Sequence, residues 1–157
     1  MTELTANTVK RIGIDELHLV AGLFNQYRIF YNQADNIGLA EKFLTERLAN
    51  VESIIFVALT GSQTPIGFTQ LYPKYSSVRA VKNWILNDLY VDAHYRKQGI
   101  GARLIEAAMD FAHADGAKFV QLETAVTNTT AQSLYESMGF VKQPHDDEFY
   151  VYKINVN

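Results

Sequence analysis

The spacing of apolar residues in the first third of the chain predicts two helices. Apolar side chains recur there at intervals of three and four residues, which places them on one helix face. The first stripe consists of Leu17, Val20, Ala21, Phe24 and Tyr27, and the second of Ala40, Phe43, Leu44 and Leu48. Asp15 stands where a cap for the first helix is expected, and the polar stretch 32–38 separates the two helices.

Runs of β-branched and aromatic residues predict six strands. They are TVKRIGI (8–14), SIIFVAL (53–59), IGFTQLYPKY (66–75), VKNWILNDLYV (81–91), KFVQLETAV (118–126) and EFYVYKIN (148–155). Two more helices are predicted by the stripe Leu104, Ile105, Ala108, Met109 and Ala112, ending near Asp115–Gly116, and by NTTAQSLYESMGF (128–140), closed by Gly139. The order β, α, α, β, β, β, α, β, α, β is typical of a mixed α/β sheet.

Length and composition narrow the class of protein. A chain of 157 residues with 48% hydrophobic residues is expected to form one domain, with its core at about residues 8–155. The net charge of −3 leaves no basic excess for phosphates, so we expect no nucleic-acid partner. The absence of cysteine excludes disulfides, cysteine–zinc sites and a thiol nucleophile. No apolar run resembles a signal peptide or reaches membrane length, so a cytoplasmic protein without a membrane partner is expected.

The stretch DAHYRKQGIGARL, residues 92–104, indicates an anion site at the start of a helix. Free N–H groups at a helix N-terminus attract anions, and glycines let a ligand approach the backbone. Gly101 is followed by Ala102 where a P-loop requires lysine, and Leu104 stands where a dinucleotide fingerprint requires a third glycine. Two interpretations remain, which are a pyrophosphate cradle of N–H groups from about Lys97 to Ala102 and a tight turn with a solvated basic pair.

A second motif, residues 128–140, indicates which anion the glycine stretch binds. LYVDAHYRKQGIGARL (89–104) and NTTAQSLYESMGF (128–140) together resemble the signatures of the GCN5-related N-acetyltransferase (GNAT) superfamily, whose members move an acetyl group from acetyl-CoA to an amine. The resemblance covers the whole chain in element order and residues 86–140 in motif detail. It implies a single-domain α/β fold whose mixed, mostly antiparallel sheet is flanked by helices, with a splayed parallel strand pair holding the cofactor. The anion is then the pyrophosphate of coenzyme A.

The resemblance also implies the residues that bind acetyl-CoA. In the family, the strand before the glycine loop parts from its parallel neighbour at a β-bulge, and the pantetheine arm fills the gap like a strand. A backbone N–H of that strand polarises the thioester carbonyl, which contributes about 3 kcal/mol when the donor is aimed at the developing oxyanion. The implied residues are Leu89, Tyr90, Val91, Arg96, Lys97, Gln98, Gly99, Ile100, Gly101, Ala102, Asn128 and Ala131. For Asn128, a role as a helix cap is the alternative.

Two catalytic residues are implied in the same way. Tyr135 matches the tyrosine that protonates the departing thiolate in many members, and a core aromatic is the alternative. A base is needed because an alkylammonium with a pKa near 10.4 is neutral in about one part per thousand at pH 7. Family members often use a carboxylate on the strand that here holds NDLYV, which makes Asp88 the candidate. Glu123 on the neighbouring strand is the second candidate and is otherwise expected to line the acceptor site.

The acceptor amine is expected to bind near the first helix pair. Tyr27, Phe30 and Tyr31 would wall a groove, while Asp35 and Glu41 attract a cation such as a polyamine or a lysine side chain. Helix packing with a solvated loop is the alternative. The resemblance thus implies direct acetyl transfer to a primary amine of a small molecule or peptide.

Other functions and partners stay open at this point. A non-catalytic sensor of CoA or acyl-CoA with the same fold is one alternative, and a nucleotide-binding module without CoA is another. The spacing of His18, His94, His113 and His145 does not suit a metal, so no metal is expected. The last predicted strand ends at the chain terminus, and a sheet edge there could pair two copies into a homodimer.

Overall fold

Five strands form one sheet in the computed structural model, which describes residues 7–156. The strands are β1 (Thr8–Arg11), β2 (Ile54–Leu59), β3 (Pro65–Ser76), β4 (Val81–Val91) and β5 (Val120–Gln121), in that spatial order. Neighbours from β1 to β4 pair antiparallel, and β4 pairs with β5 in parallel. The predicted mixed, mostly antiparallel sheet is therefore confirmed, and β4 has the bounds that the sequence indicated.

Residues 7–156 contain four α-helices. They are α1 (Ala21–Phe30), α2 (Ile37–Ala49), α3 (Ile100–Ala114) and α4 (Thr129–Ser137), with 3₁₀ turns at Ile14–Leu19 and Ala93–Tyr95. Asn36 caps α2 by accepting a hydrogen bond from the Leu39 N–H at 3.0 Å. The prediction of Asp15 as the cap of one long first helix is wrong. The chain first forms the 3₁₀ turn, whose Glu16 carboxylate accepts from the Gly13 N–H at 3.4 Å, and α1 starts after Val20.

The two faces of the sheet are covered by different helices. Phe68 of β3 is fully buried against the edge of the Phe24 ring of α1, with ring centroids 6.1 Å apart, and the Phe24 ring stacks on Phe43 of α2. The preceding residue, Gly67, points to the opposite face, because successive strand residues alternate. A Cβ there would lie 3.2 Å from Leu104 Cδ1 of α3, so glycine lets α3 pack closely on this second face.

Residues 124–157 form a compact unit of their own, described as far as residue 156. The Asn128 side chain caps α4 by accepting from the Ala131 N–H at 3.1 Å, as the cap alternative predicts, and Gly139 ends it with φ +97°. The predicted strand 148–155 is wrong, since these residues belong to no strand. Its alternation favours an extended backbone, but a strand also needs a neighbour for its N–H and C=O groups.

The parallel strand is shorter than the sequence indicated. We expected residues 118–126, whereas β5 comprises Val120 and Gln121, which pair with Trp84 and Ile85 of β4. β4 continues beyond this pairing to Val91. The end of the parallel ladder thus lies two residues before an irregularity in β4 that shapes the candidate site.

Candidate functional site

A β-bulge at Asn87 sets the direction of the side chains at the end of β4. Leu86 pairs with Leu71 of β3, and Asp88 pairs with the next residue, Gln70, so Asn87 is an extra residue without a partner on β3. In an uninterrupted strand, Leu86 and Asp88 would share a face. Because of the bulge they face opposite ways, and Asp88 points to the side of the sheet that α1 covers.

Asp88 is a buried carboxyl surrounded by hydrogen-bond donors. Its residue is 3% exposed, and its two oxygens accept from the side-chain amides of Gln70 and Asn87. The Tyr27 hydroxyl of α1 donates to the Asn87 carbonyl oxygen at 3.4 Å, close enough to Asp88 for the two side chains to shift each other's pKa. Burial raises the pKa of the Asp88 carboxyl above its usual range, and the polar groups of Gln70, Asn87 and Tyr27 act in the opposite direction.

The raised pKa of Asp88 predicts an unusual pH dependence of stability. A carboxyl whose pKa is higher in the folded protein than the unfolded value of about 3.8 stabilises the fold at low pH, and this contribution is lost as the pH rises through the folded pKa. Asparagine does not titrate. We therefore expect the unfolding free energy of Asp88→Asn, minus that of the wild type, to increase from about pH 4 towards neutrality in urea titrations.

Asp92 supplies a control of opposite sign. The His94 backbone N–H donates to its carboxylate at 2.9 Å and lowers the pKa of Asp92. The corresponding difference for Asp92→Asn is expected to decrease as the pH rises to about 4 and to stay flat from there to neutrality, because the contribution of this carboxylate is complete above its unfolded pKa of about 3.8. If the difference for Asp88→Asn stays flat or decreases between about pH 4 and neutrality, burial does not raise the pKa of Asp88.

The backbone of β4 beyond the bulge lies where the parallel pairing has ended. The pairing with β5 stops at Ile85, while the residues predicted to contact pantetheine, Leu89, Tyr90 and Val91, follow the bulge and are half-buried. They keep their ladder with β3, from Thr69 to Gly67. This is the geometry that an added strand-like ligand requires, because one side of β4 has a neighbour and the other side has left its ladder.

The glycine stretch forms a turn and the first turn of α3. Lys97 and Gly99 have φ of +63° and +79°, and Gly99 is the N-terminal cap residue of α3, with no side chain capping the helix. Ile100, Gly101 and Ala102 form the first turn, so their N–H groups lack intrahelical acceptors. Uncapped N–H groups beside a strained turn suit an anion such as a pyrophosphate.

Arg96 of this stretch contacts the end of β4 and α1. Its Nε donates to the Val91 carbonyl oxygen at 2.9 Å. Its guanidinium lies 5.5 Å from the centre of the Tyr90 ring and 5.9 Å from that of Phe30. Arg96 thus joins the glycine loop to the aromatic surface on the α1 side.

The three aromatic residues predicted for the acceptor site lie together at the C-terminal end of α1. The Tyr27 and Tyr31 rings meet edge to face at 5.1 Å, and Phe30 lies 5.2 Å from Tyr31 and 6.5 Å from Tyr90 of β4. About half of the Phe30 and Tyr31 surfaces is exposed, while burial and the Asp88 charge raise the pKa of Tyr27. We call Tyr27, Phe30, Tyr31 and Tyr90 the aromatic wall. It places an accessible ring surface beside the hydroxyl that reaches Asp88.

The remaining predicted residues are distributed as follows. Glu123 is exposed and follows β5 by two residues, and Asp35 accepts from the Asn25 side chain at 2.8 Å. Glu41 is exposed on α2. In residues 7–156, no three His, Cys, Asp or Glu side chains cluster so that they could hold a metal ion. No helix in that range is long and apolar enough to cross a membrane.

Tyr135 lies on α4, in the unit that begins at Thr124. It is half-buried, and its ring meets the edge of Phe140 at 6.0 Å. Its carbonyl accepts from the Phe140 N–H at 3.0 Å, so the turn around Gly139 brings Phe140 back onto it. Asn128 and Ala131 share this unit and are joined by the cap described above.

Sequence reasoning missed Gln70 and Tyr72 as neighbours of Asp88. Gln70 is fully buried and binds the carboxyl, and burial together with the Asp88 charge raises the pKa of Tyr72. One signal was present, since a glutamine in the middle of the apolar run IGFTQLY needs a buried polar partner. The bulge decides which partner it finds, and an alternating pattern does not indicate a bulge.

Comparisons with known proteins agree with the fold. The family model described as Acetyltransferase (GNAT) family matches residues 20–140. YhfO, an uncharacterized N-acetyltransferase of Bacillus subtilis, is 48% identical over 148 residues, covering 94% of this chain and 97% of YhfO. The crystal structure of a probable acetyltransferase superposes with a TM-score of 0.84 at 36% identity, covering 96% of this chain and 98% of the other.

A more distant structure shares the fold. An aminoglycoside N-acetyltransferase in complex with CoA superposes with a TM-score of 0.77 at 18% identity, covering 94% of this chain and 95% of the other. The family model matches most of the chain, and the identity to YhfO extends over nearly all of it. The assignment to a family therefore rests on more than the two sequence motifs. The chain belongs to the acetyltransferase (GNAT) family of enzymes.

Proposed function

We propose that this protein transfers the acetyl group of acetyl-CoA directly to a primary amine, and that Asp88 is its base. The observation that carries the proposal is the buried Asp88 carboxyl, turned by the bulge towards the exposed aromatic wall. An amine acceptor arrives mostly as an ammonium ion and must lose a proton before it attacks. A carboxyl whose pKa is raised by burial is a better base for this purpose than an exposed one.

Acetyl-CoA fits the residues at the end of β4 and the start of α3. We assign its pantetheine to the backbone of Leu89, Tyr90 and Val91, and its pyrophosphate to the stretch from Arg96 to Ala102. The uncapped first turn of α3 and the early end of the parallel ladder support this assignment. Asn128 and Ala131 are assigned to the same ligand, although the Asn128 side chain already has its cap role.

The acceptor is assigned to the aromatic wall, and the leaving-group acid to Tyr135. Rings of Tyr27, Phe30 and Tyr31 attract an ammonium group, and Glu123 would add a negative charge. When the amine attacks the thioester carbon, the C–N bond forms, the C–S bond breaks and the sulfur leaves with negative charge. A proton from Tyr135 would neutralise it, and the surplus proton that the new amide nitrogen releases would restore the Tyr135 hydroxyl through solvent. Polyamines, aminoglycosides, lysine peptides and small alkylamines are the classes to test.

A thiol-release assay over these four classes of amine tests the proposal. Each amine is added with acetyl-CoA, and free thiol and acetylated product are measured together, because both must form in equal amounts. Binding of acetyl-CoA is measured separately by calorimetry, with ATP and NAD as comparison ligands. Binding without thiol release for any amine would favour a sensor of the same fold, and binding of ATP in place of acetyl-CoA would favour a nucleotide module.

Three further features belong to the proposal. We propose that residues 1–157 act as one acetyltransferase domain with its core at about residues 8–155, and that it works in the cytoplasm. A homodimer is also proposed. The sheet edge that the sequence predicted at residues 148–155 is not formed, so the pairing of two copies would not use an edge strand there. The large apolar side chains of that segment are instead exposed and offer a surface that a second copy could cover: Phe149, Tyr150, Val151, Tyr152 and Ile154.

The dimer is tested by its mass in solution. We expect light scattering at tens of micromolar to give about 35 kDa, twice the 17.7 kDa chain. Replacing Tyr150 and Tyr152 by serine should shift this value towards the monomer, because it removes large apolar surface. A wild-type mass of one chain would remove the dimer from the proposal and leave the enzymatic part unaffected.

A further inference from the structure

Asp88 is too deeply buried to meet an amine by itself. The residue is 3% exposed, and its oxygens are enclosed by Gln70, Asn87 and Tyr27. Gln70 is fully buried behind it. An amine that approaches along the aromatic wall therefore meets a neighbour of Asp88 before it meets the carboxyl.

Among these three neighbours, Tyr27 has the chemistry of a proton carrier. Gln70 and Asn87 use side-chain N–H groups toward Asp88, and an amide nitrogen does not accept a proton. A tyrosine hydroxyl donates through its hydrogen and accepts through its oxygen, so it can pass on one proton while it receives another. Tyr27 is also the neighbour that belongs to the aromatic wall, where it touches the half-exposed Tyr31 ring.

We infer that the Tyr27 hydroxyl carries the proton from the acceptor amine to Asp88. This inference rests on the proposed acetyl transfer and adds a residue to its proton path. The Tyr27 hydroxyl first turns towards Asp88 from the Asn87 carbonyl oxygen, to which it donates at 3.4 Å. One N–H bond of the ammonium then breaks and an O–H bond forms at the Tyr27 oxygen, while the original Tyr27 O–H breaks and its proton binds the Asp88 carboxylate. An ammonium and a carboxylate are thereby converted into a neutral amine and a carboxylic acid, and Tyr27 ends as it began.

The surroundings favour a transfer in which both protons move together. Burial and the Asp88 charge raise the pKa of Tyr27, so a separate phenolate is disfavoured. The other titratable groups facing this pair are Tyr31 on α1 and Tyr72 on β3. Arg47 and Glu52 act on Tyr72 with opposite charges. The neutral products of the transfer suit this buried site better than the separated charges do.

The pH dependence of Tyr27→Phe tests the relay. The variant keeps the ring and its packing, but the amine must then arrive already neutral. For a primary alkylamine with a pKa near 10.4, the neutral fraction rises about tenfold per pH unit. We expect the ratio of wild-type to variant kcat/KM to be about 100 at pH 7 and to fall towards 1 by about pH 9. A ratio that stays constant with pH is the signature of a packing or binding role and would overturn the relay.

Tyr72→Phe is the matched control. Tyr72 is a tyrosine of similar burial whose pKa also responds to Asp88, but unlike Tyr27 it is not among the side chains that shift the pKa of that carboxyl. Its variant should show a ratio that does not change between pH 7 and pH 9. If Tyr72→Phe reproduces the pH-dependent loss and Tyr27→Phe does not, the proton path runs through β3 and the inference is wrong.

A double-mutant cycle with Asp88→Asn keeps the test independent of any single variant. Tyr27 and Asp88 act in series, so Asp88→Asn alone should show the same pH-dependent loss, and adding Tyr27→Phe should lower kcat/KM by less than twofold more. Losses that multiply would overturn the relay. If the wild type releases no thiol with any amine, the proposed function fails and the inference fails with it, whereas an active wild type with a constant ratio removes the relay alone.

Discussion

Replacing Tyr135 by phenylalanine is expected to lower kcat by roughly 10- to 1,000-fold, within or just below the usual range for one acid–base group. The thiolate leaves more readily when a proton arrives with it. A thiol pKa near 8.5 makes the unassisted thiolate tolerable at pH 8, so the reaction should be slowed without being abolished. The ring of Tyr135 contacts Phe140, and phenylalanine keeps this contact. The melting temperature and the affinity for acetyl-CoA should therefore change little.

The alternative role of Tyr135 as a core aromatic predicts the opposite result. Turnover would then be nearly intact, and stability would fall if the hydroxyl has a buried partner. Measuring kcat at saturating amine and the melting temperature on the same variant separates the two. Phe140→Leu is a useful comparison, because it weakens the ring contact without touching the hydroxyl and should affect stability more than turnover. Unchanged turnover in Tyr135→Phe would exclude it as the acid.

Replacing Gly101 by valine is expected to weaken acetyl-CoA binding about 100-fold or more, which corresponds to about 3 kcal/mol. Gly101 is the second residue of α3, where the proposed pyrophosphate meets backbone N–H groups, and a branched side chain would stand between them. The fold should tolerate the change, because valine has a higher helix propensity than glycine. Calorimetry with acetyl-CoA measures the loss of affinity, and circular dichroism checks the fold.

Gly22→Val is the matched control for this substitution. Gly22 is also a helical glycine, in α1, and a Cβ there meets no atom within 4 Å. Its affinity for acetyl-CoA should equal that of the wild type. Arg96→Ala should cost less affinity than Gly101→Val, and its loss should shrink at high salt if the guanidinium contacts phosphate. Native affinity in Gly101→Val would mean that the pyrophosphate binds elsewhere.

The parts of the fold that sequence reasoning recovered are those governed by local periodicity. β4 has the predicted bounds, and α3 buries Leu104, Ile105 and Ala108 as its stripe requires. The cap at Asn128 was also recognisable, because capping depends on a few neighbouring residues. In these cases the information lies within about one turn of helix or one strand.

The parts that were missed depend on distant partners. The apolar stripe continues from Leu17 to Tyr27, but the chain forms a 3₁₀ turn before α1, and periodicity does not distinguish one long helix from this arrangement. Residues 148–155 have the alternation of a strand without a ladder in this structure. The same limit applies to the candidate site. Asp88 was chosen from its motif, but its burial, its contact with Gln70 and its link to Tyr27 follow from the register of β3 against β4.

The bend of β4 depends on the extra residue Asn87, whereas the face of the sheet on which Asp88 lies depends on the pairing of β4 with β3. A deletion in the gene could therefore remove the first property and keep the second. Deleting the Asn87 codon would leave Leu86 opposite Leu71 and Asp88 opposite Gln70, so the acid would keep its side of the sheet. What would disappear is the local bend, since a strand without a bulge runs straighter along its neighbours. A shortened gene of this kind would encode a protein whose carboxyl keeps its face of the sheet but loses the Asn87 amide that donates to it at 2.9 Å. The pairing register alone thus decides which face of the sheet carries the acid, whereas the extra codon supplies the bend and one of the hydrogen bonds to the acid.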